Sequence, residues 1–255
     1  MKESLFMNPH LEGDPFLWEA GPVGVFLSHG FTATCAEVRP LAQHLHEAGF
    51  TVAEPLLPGH GTHPQDLNRV KWPAWVEAGE RVYQQLKARC QRVFVGGESM
   101  GAVLALHLAS QHPEAAGVLA FAPAIKLNLR PVDLLRLRLI APFVPWLPKD
   151  SIDASKHWQG YPVIPLKGAL QLVAFQQVVI QGLPKIHQPV LVMQGRLDTT
   201  VHPSVGELIL GGVSSAVKEL YWMEKSSHVI IIDQELDQVT RITLNFLNSN
   251  GPLRG

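Results

Sequence analysis

The chain predicts an α/β fold: a mostly parallel central sheet flanked by helices, with a small, mainly helical insertion. Three observations carry this. Short apolar runs alternate with segments of helical periodicity along most of the sequence. Several of these runs end at loops rich in glycine, serine or aspartate. A length of 255 residues, 46% hydrophobic and 17% charged, suffices to bury such a sheet on both faces. Strands joined through helices must pair in parallel, and the natural place for a site is beyond their carboxyl ends.

The elements follow in order. Val23-Gly24-Val25-Phe26-Leu27 reads as a buried strand ending at Ser28-His29-Gly30-Phe31-Thr32. A helix is expected over 36–48, with Val38, Leu41, Leu45 and Ala48 along one face and Gly49 as its stop. Thr51-Val52-Ala53-Glu54 is the next strand, and Pro58-Gly59-His60-Gly61-Thr62 a glycine-rich loop. A helix over 72–88 is anchored by Trp75, Val82 and Leu86. A strand at 92–96 and a helix at 102–109 then enclose Gly97-Glu98-Ser99-Met100-Gly101. Strands at 117–121, 189–195 and 218–223, and helices at 203–210 and 236–247, complete the alternation.

Between residues 124 and 188 the alternation stops. Prolines crowd the segment, and the two helix-like patches lie at 134–140 and 168–179. A loop of this length inside a compact domain points to function. The predicted organisation is therefore a core of residues 1–123 and 189–255, with 124–188 as a cap inserted above the sheet. The alternative is a helical excursion that touches no substrate.

Composition excludes several classes of function. A net charge of −1, with no basic stretch, leaves no electrostatic footprint for nucleic acid. The most apolar stretch, 134–147, carries Arg136 and Arg138 and is broken by Pro142 and Pro145, so no stable membrane insertion is expected. Residues 1–18 lack a basic start followed by an apolar run, so no signal peptide is expected. The two cysteines, Cys35 and Cys90, then read as free thiols in a reducing cytoplasm.

A G-x-S-x-G between a strand and a helix is a nucleophile elbow, in which Ser99 occupies a strained turn and the glycines remove side chains that would collide. A serine hydroxyl needs a base within hydrogen-bond reach, and a carboxylate to hold that base's tautomer. In this arrangement the three follow in the chain order serine, acid, histidine. Asp198, in Gly195-Arg196-Leu197-Asp198, and His228, in Ser226-Ser227-His228, both follow predicted strands and project from the same sheet edge as Ser99. Asp233 and Glu224 are the rival acids. The developing oxyanion needs two N–H donors, which Met100 and Phe31 are placed to supply. His60, His63 and Asp66 have a spacing that could ligate a metal, but the glycine-rich loop accounts for them better, and no metal or cofactor is expected.

Together, His29-Gly30-Phe31-Thr32, Leu57-Pro58-Gly59-His60-Gly61-Thr62, Gly97-Glu98-Ser99-Met100-Gly101, the Asp198 loop and Ser227-His228-Val229 resemble the α/β-hydrolase superfamily. Within it they are most similar to bacterial monoacylglycerol lipases and carboxylesterases, over residues 23–247. The resemblance implies Ser99, Asp198 and His228 as the triad, Phe31 and Met100 as oxyanion donors, and a cap lining an apolar acyl tunnel. Ala102 stands where the family commonly has glycine. Glu98, beside the nucleophile, is expected either to be buried and paired with a neighbour such as His29, or to be solvated with no catalytic role.

The resulting expectation is a serine ester hydrolase without a cofactor. It would cleave small esters with an apolar acyl group, monoacylglycerols or short- to medium-chain acyl esters, through an acyl-enzyme. A thioesterase would use the same triad. A carbon–carbon bond hydrolase or a non-catalytic binding protein on this fold are further alternatives.

Overall fold

Nine strands are found among the described residues of the computed structural model, which are 6–149 and 156–251. Residues 1–5, 150–155 and 252–255 lie outside them, and with them part of the N-terminal stretch and of the segment 124–188 expected to be a cap. The strands are β1 (Phe16–Trp18), β2 (Val23–Phe26), β3 (Thr51–Glu54), β4 (Arg92–Glu98), β5 (Gly117–Phe121), β6 (Trp146–Pro148), β7 (Val163–Pro165), β8 (Val190–Gly195) and β9 (Lys218–Met223). The helices are α1 (Arg39–Glu47), α2 (Pro64–Leu67), α3 (Trp72–Lys87), α4 (Met100–Gln111), α5 (Pro131–Ile140), α6 (Leu166–Gly182), α7 (Val205–Gly212) and α8 (Leu236–Asn250).

Seven strands form one sheet in the order β1-β3-β2-β4-β5-β8-β9. All its pairs are parallel except the antiparallel edge pair of β1 with β3. Successive side chains point to opposite faces, and the sequence uses both. On one face Val93, Val95, Val118, Ala120, Val190 and Val192 pack against residues of α3, α4 and α7. On the other, Phe94, Leu119, Phe121, Leu191 and Met193 pack against α1 and α8. Chain order reverses at β2 and β4, the switch point where a doubly wound sheet opens a crevice beyond its strand ends.

The observed elements follow the expected ones with a few differences, among them the short helix α2, which was not expected. The helix expected over 36–48 divides into a 3₁₀ turn at Cys35–Glu37 and α1 from Arg39. Pro40 suits the first turn of α1, where its missing N–H costs no hydrogen bond. β1 was not expected, because three residues are too few to display a period of two. Nor was the β6–β7 pair, whose strands carry Pro148 and Pro165 at their ends, where proline disturbs a ladder least.

The segment from 124 to 188 holds α5, β6, β7 and α6. Helix α6 buries Leu172, Phe175 and Val179, and Phe175 stacks on Trp72 of α3 with ring centroids 5.1 Å apart. Helix α5 buries no side chain. Among the described residues no helix is long and apolar enough to cross a membrane.

Candidate active site

Ser99 sits between β4 and α4 with φ 54° and ψ −110°, a left-handed conformation rare for a residue with a side chain. Neighbouring strands hold it there. Ser99 N–H donates to Phe121 O at 2.9 Å, Glu98 N–H donates to Ser28 O at 3.0 Å, and Ala124 N–H donates to Ser99 O at 3.1 Å. Both motif glycines are sterically required. A Cβ on Gly97 would lie 2.5 Å from the Gly101 carbonyl carbon, and one on Gly101 would lie 1.9 Å from Ser28 O. The elbow therefore stores strain that the packed strand ends over-determine.

Asp198 and His228 come to this serine from loops after β8 and β9. The Ser99 hydroxyl lies 2.9 Å from His228 Nε2, and His228 Nδ1 lies 2.8 Å from Asp198 Oδ2. The Asp198 side chain is 2% exposed, and its other oxygen accepts from Thr200 N–H at 2.7 Å and Val201 N–H at 3.0 Å. These contacts fix which carboxylate oxygen faces the imidazole. Nδ1–H then donates to Asp198, leaving the Nε2 lone pair to receive the serine proton.

The loop carrying His228 is clamped by two carboxylates. Asp233 accepts from Ser227 N–H at 2.7 Å and from the Ser227 hydroxyl at 2.9 Å. Glu235 accepts from Lys225 N–H at 2.8 Å and from the Ser226 hydroxyl at 2.7 Å. Glu224 pairs with Arg196 at the surface. Asp233 and Glu224, the rival acids, thus have other partners, and Asp198 is the carboxylate that meets His228. The clamping role of Asp233 and Glu235 leaves no sequence signal beyond closeness to His228.

Phe31 and Met100 bracket Ser99 from the two sides. Met100 opens α4, where a first-turn N–H has no intrahelical acceptor. Among the described residues neither its N–H nor that of Phe31 donates to a protein acceptor. Gly30 brings the loop close, since a Cβ there would stand 3.2 Å from Ser99 Cβ.

Behind the loop lies a pocket of buried titratable groups. His29 hydrogen-bonds through Nδ1 to Gly30 O at 2.9 Å, and its Nε2 accepts from Leu57 N–H at 3.1 Å. Burial pushes its pKa down to about 4 and holds the ring neutral. Glu98 is fully buried, as one expectation had it, but both His29 ring nitrogens are engaged by backbone and leave none for the glutamate. His29, Cys35 and Glu54 bring ligand atoms within 4.8 Å of one another. Burial raises both the Cys35 thiol and the Glu54 carboxyl, so these groups are neutral and poor metal ligands. Just after the glycine-rich loop, His63 caps α2 by accepting from Gln65 N–H, and Asp66 within α2 accepts from the Thr62 hydroxyl and Arg69.

Comparison with known proteins places this chain in a family. Residues 23–164 match the family model described as serine aminopeptidase, S33. The thermostable monoacylglycerol lipase of Bacillus sp. (strain H-257) is 34% identical over 239 residues, covering 93% of this chain and 96% of that protein. The carboxylesterase of Bacillus subtilis (strain 168) is 28% identical over 240 residues, covering 91% and 95%. A solved structure from the metagenome-derived lipolytic enzymes LipS and LipT superposes with a TM-score of 0.87 at 33% identity, covering 94% of this chain and 99% of that one.

Proposed function

This chain belongs to the serine aminopeptidase S33 family of α/β hydrolases and is a serine ester hydrolase, and from that premise we propose both its substrates and the residues that act on them. The substrates are monoacylglycerols and short- to medium-chain acyl esters. Two relatives of this chain are a monoacylglycerol lipase and a carboxylesterase, which supports that choice. The apolar side chains of the 124–188 segment suit an acyl chain better than a charged group.

The observation that carries the mechanism is the line from Ser99 through His228 to Asp198, with distances of 2.9 and 2.8 Å. Ser99 Oγ attacks the ester carbonyl as His228 Nε2 takes its proton. Asp198 stabilises the imidazolium that forms. The oxygen of the tetrahedral intermediate receives the N–H groups of Phe31 and Met100, each donor contributing about 3–4 kcal/mol to the barrier lowering. Collapse breaks the ester C–O bond, and the leaving alcohol carries away the His228 proton. Water, deprotonated by the same histidine, then attacks the acyl-enzyme, releases the carboxylic acid and restores Ser99.

Residues 124–188 act as a cap over this centre. The reading is supported by Gly168 of α6, where a Cβ would lie 3.2 Å from the Phe31 ring, and by the Gln176 amide, which donates to Ala124 O at 2.6 Å. The free state of Cys35 and Cys90 supports a reducing compartment, the cytoplasm.

The test is hydrolysis of a p-nitrophenyl ester series, a monoacylglycerol, a triacylglycerol, an acyl thioester and an amino-acid p-nitroanilide. Esters are expected to be cleaved fastest, and an organophosphate is expected to label Ser99. Ser99→Ala should lower kcat by roughly 10⁶ with thermal stability unchanged. Absence of labelling in folded protein, or ester turnover retained by Ser99→Ala, would overturn the assignment.

A further inference from the structure

Glu37 takes no part in the acyl-transfer line, yet its carboxylate lies against the loop that carries Phe31. It is 2% exposed. Oε2 accepts from Gly30 N–H at 2.6 Å, and Oε1 accepts from the Trp158 indole N–H at 3.1 Å. A Cβ at Gly30 would lie 3.1 Å from Glu37 Oε2 and 3.2 Å from Ser99 Cβ, so the loop backbone alone separates carboxylate from nucleophile.

The loop needs such an anchor. Thr32 holds φ 70°, a left-handed conformation that surrounding contacts must maintain. Those contacts come from the 124–188 segment. Tyr161 N–H donates to Thr32 O at 3.0 Å, and the Lys149 ammonium donates to the Thr32 hydroxyl at 2.6 Å while lying 4.2 Å from the Trp158 ring centroid. The Thr34 hydroxyl donates to Gln159 Oε1 at 2.7 Å. Glu37 joins the two sides of this strap, with Gly30 on one oxygen and Trp158 on the other.

We propose that Glu37 is a positioning residue for acyl transfer: it locks the Gly30 peptide so that the adjoining Phe31 N–H faces the oxyanion, and it ties that alignment to the seating of residues 158–161. The proposal rests on the ester-hydrolase reading above. Charged and titratable groups face Glu37 from each side. They are Glu54 on β3, His228 on the loop after β9 and Lys149 beside β6. Burial pushes the Glu37 carboxyl up to about 7, against the opposing pull of Gly30 N–H, His228, Trp158 and Lys149. Glu54 is raised well above the usual carboxylate range by burial and by Glu37 itself, so the negative charge resides on Glu37.

Glu37→Gln keeps the shape but cannot serve both partners. Its single carbonyl can accept from Gly30 or from Trp158, and its amide N–H₂ then meets a donor. On p-nitrophenyl butyrate, kcat should fall about 10- to 100-fold, the scale of a slightly misplaced reacting group, with KM within about twofold. Protonation of His228 removes activity in both proteins, but the wild type should carry a second protonation, of Glu37 at about 7, so its kcat should fall more steeply on the acid side than that of the variant. Trp158→Phe, which removes one donor and keeps an aromatic ring, should lower kcat about threefold in the same direction. A Glu37→Gln kcat within twofold of wild type, a change confined to KM, or an unaltered pH profile would overturn the proposal. If Glu37→Gln does not fold, an unchanged kcat in Trp158→Phe overturns it instead. A wild type inactive on every ester overturns both readings; an active wild type matched by Glu37→Gln overturns this one alone.

Discussion

The elbow at Ser99 and helix α5 obey opposite physics. Around Ser99 each backbone turn is held by hydrogen bonds to adjoining strand ends, and the side chain is 8% exposed. Helix α5 buries nothing, and Leu135, Leu139 and the following Phe143 stand 55%, 64% and 85% exposed. Ser99 thus stands where hydrogen bonds and close contacts leave the backbone little room to shift. Helix α5 and the turn after it carry large apolar side chains that the fold does not bury. On the proposed function, chemistry and substrate choice are separable: the first depends on the packing of the strands, the second on side chains that cost little stability to change.

That separation can be broken or sharpened. After Ser99→Ala, the largest effect is expected from Asp198→Asn. Thr200 and Val201 N–H groups would hold the amide oxygen and turn its N–H₂ toward His228 Nδ1, forcing the tautomer that cannot accept the Ser99 proton. Single-turnover kinetics should show a loss of roughly 10⁴ with little change in fold. Substantial residual activity would move the acid role to Asp233 or Glu224. Gly101→Ala comes next, since its new Cβ would stand 1.9 Å from Ser28 O. Denaturant unfolding should report a loss of at least about 1–3 kcal/mol, with activity falling in step. A stable, active variant would show the elbow to be more compliant than its contacts imply. Smallest is Leu139→Ser on α5, expected to stay within about 0.5 kcal/mol of wild-type stability. Its effect should be confined to a raised KM for long-chain esters, with short-chain kinetics unchanged. An equal loss on short-chain esters would join the two regions that the structure separates.

Much of the site could be read without coordinates because an elbow has local requirements. Gly97 must be small to clear Gly101 four residues on, and Ser99 stands between a strand and a helix that each show their own periodicity, although Gly101 is needed against Ser28, far off in the chain. Asp198 and His228 could be placed since a parallel sheet brings every strand's carboxyl end to one edge. Glu37 could not. Its partners Gly30 and Trp158 are 7 and 121 residues away, and a glutamate at the start of a helix ordinarily signals a solvated first turn. Nor could the partners of His29, since backbone groups of Gly30 and Leu57, the latter 28 residues away, engage both imidazole nitrogens.

The amino-acid order by itself determined the alternation of strands and helices, the elbow and the succession of serine, acid and base, because these follow from periodicity, steric demand and chain order. The tertiary structure alone decided which carboxylate meets His228, what clamps its loop and how residues 158–161 strap the turn at Thr32. The first and last of those choices depend on hydrogen bonds between atoms far apart in sequence, and the clamp on how the loop folds back on residues six to ten positions on. Burial then strengthens each such bond, and no local pattern reports it.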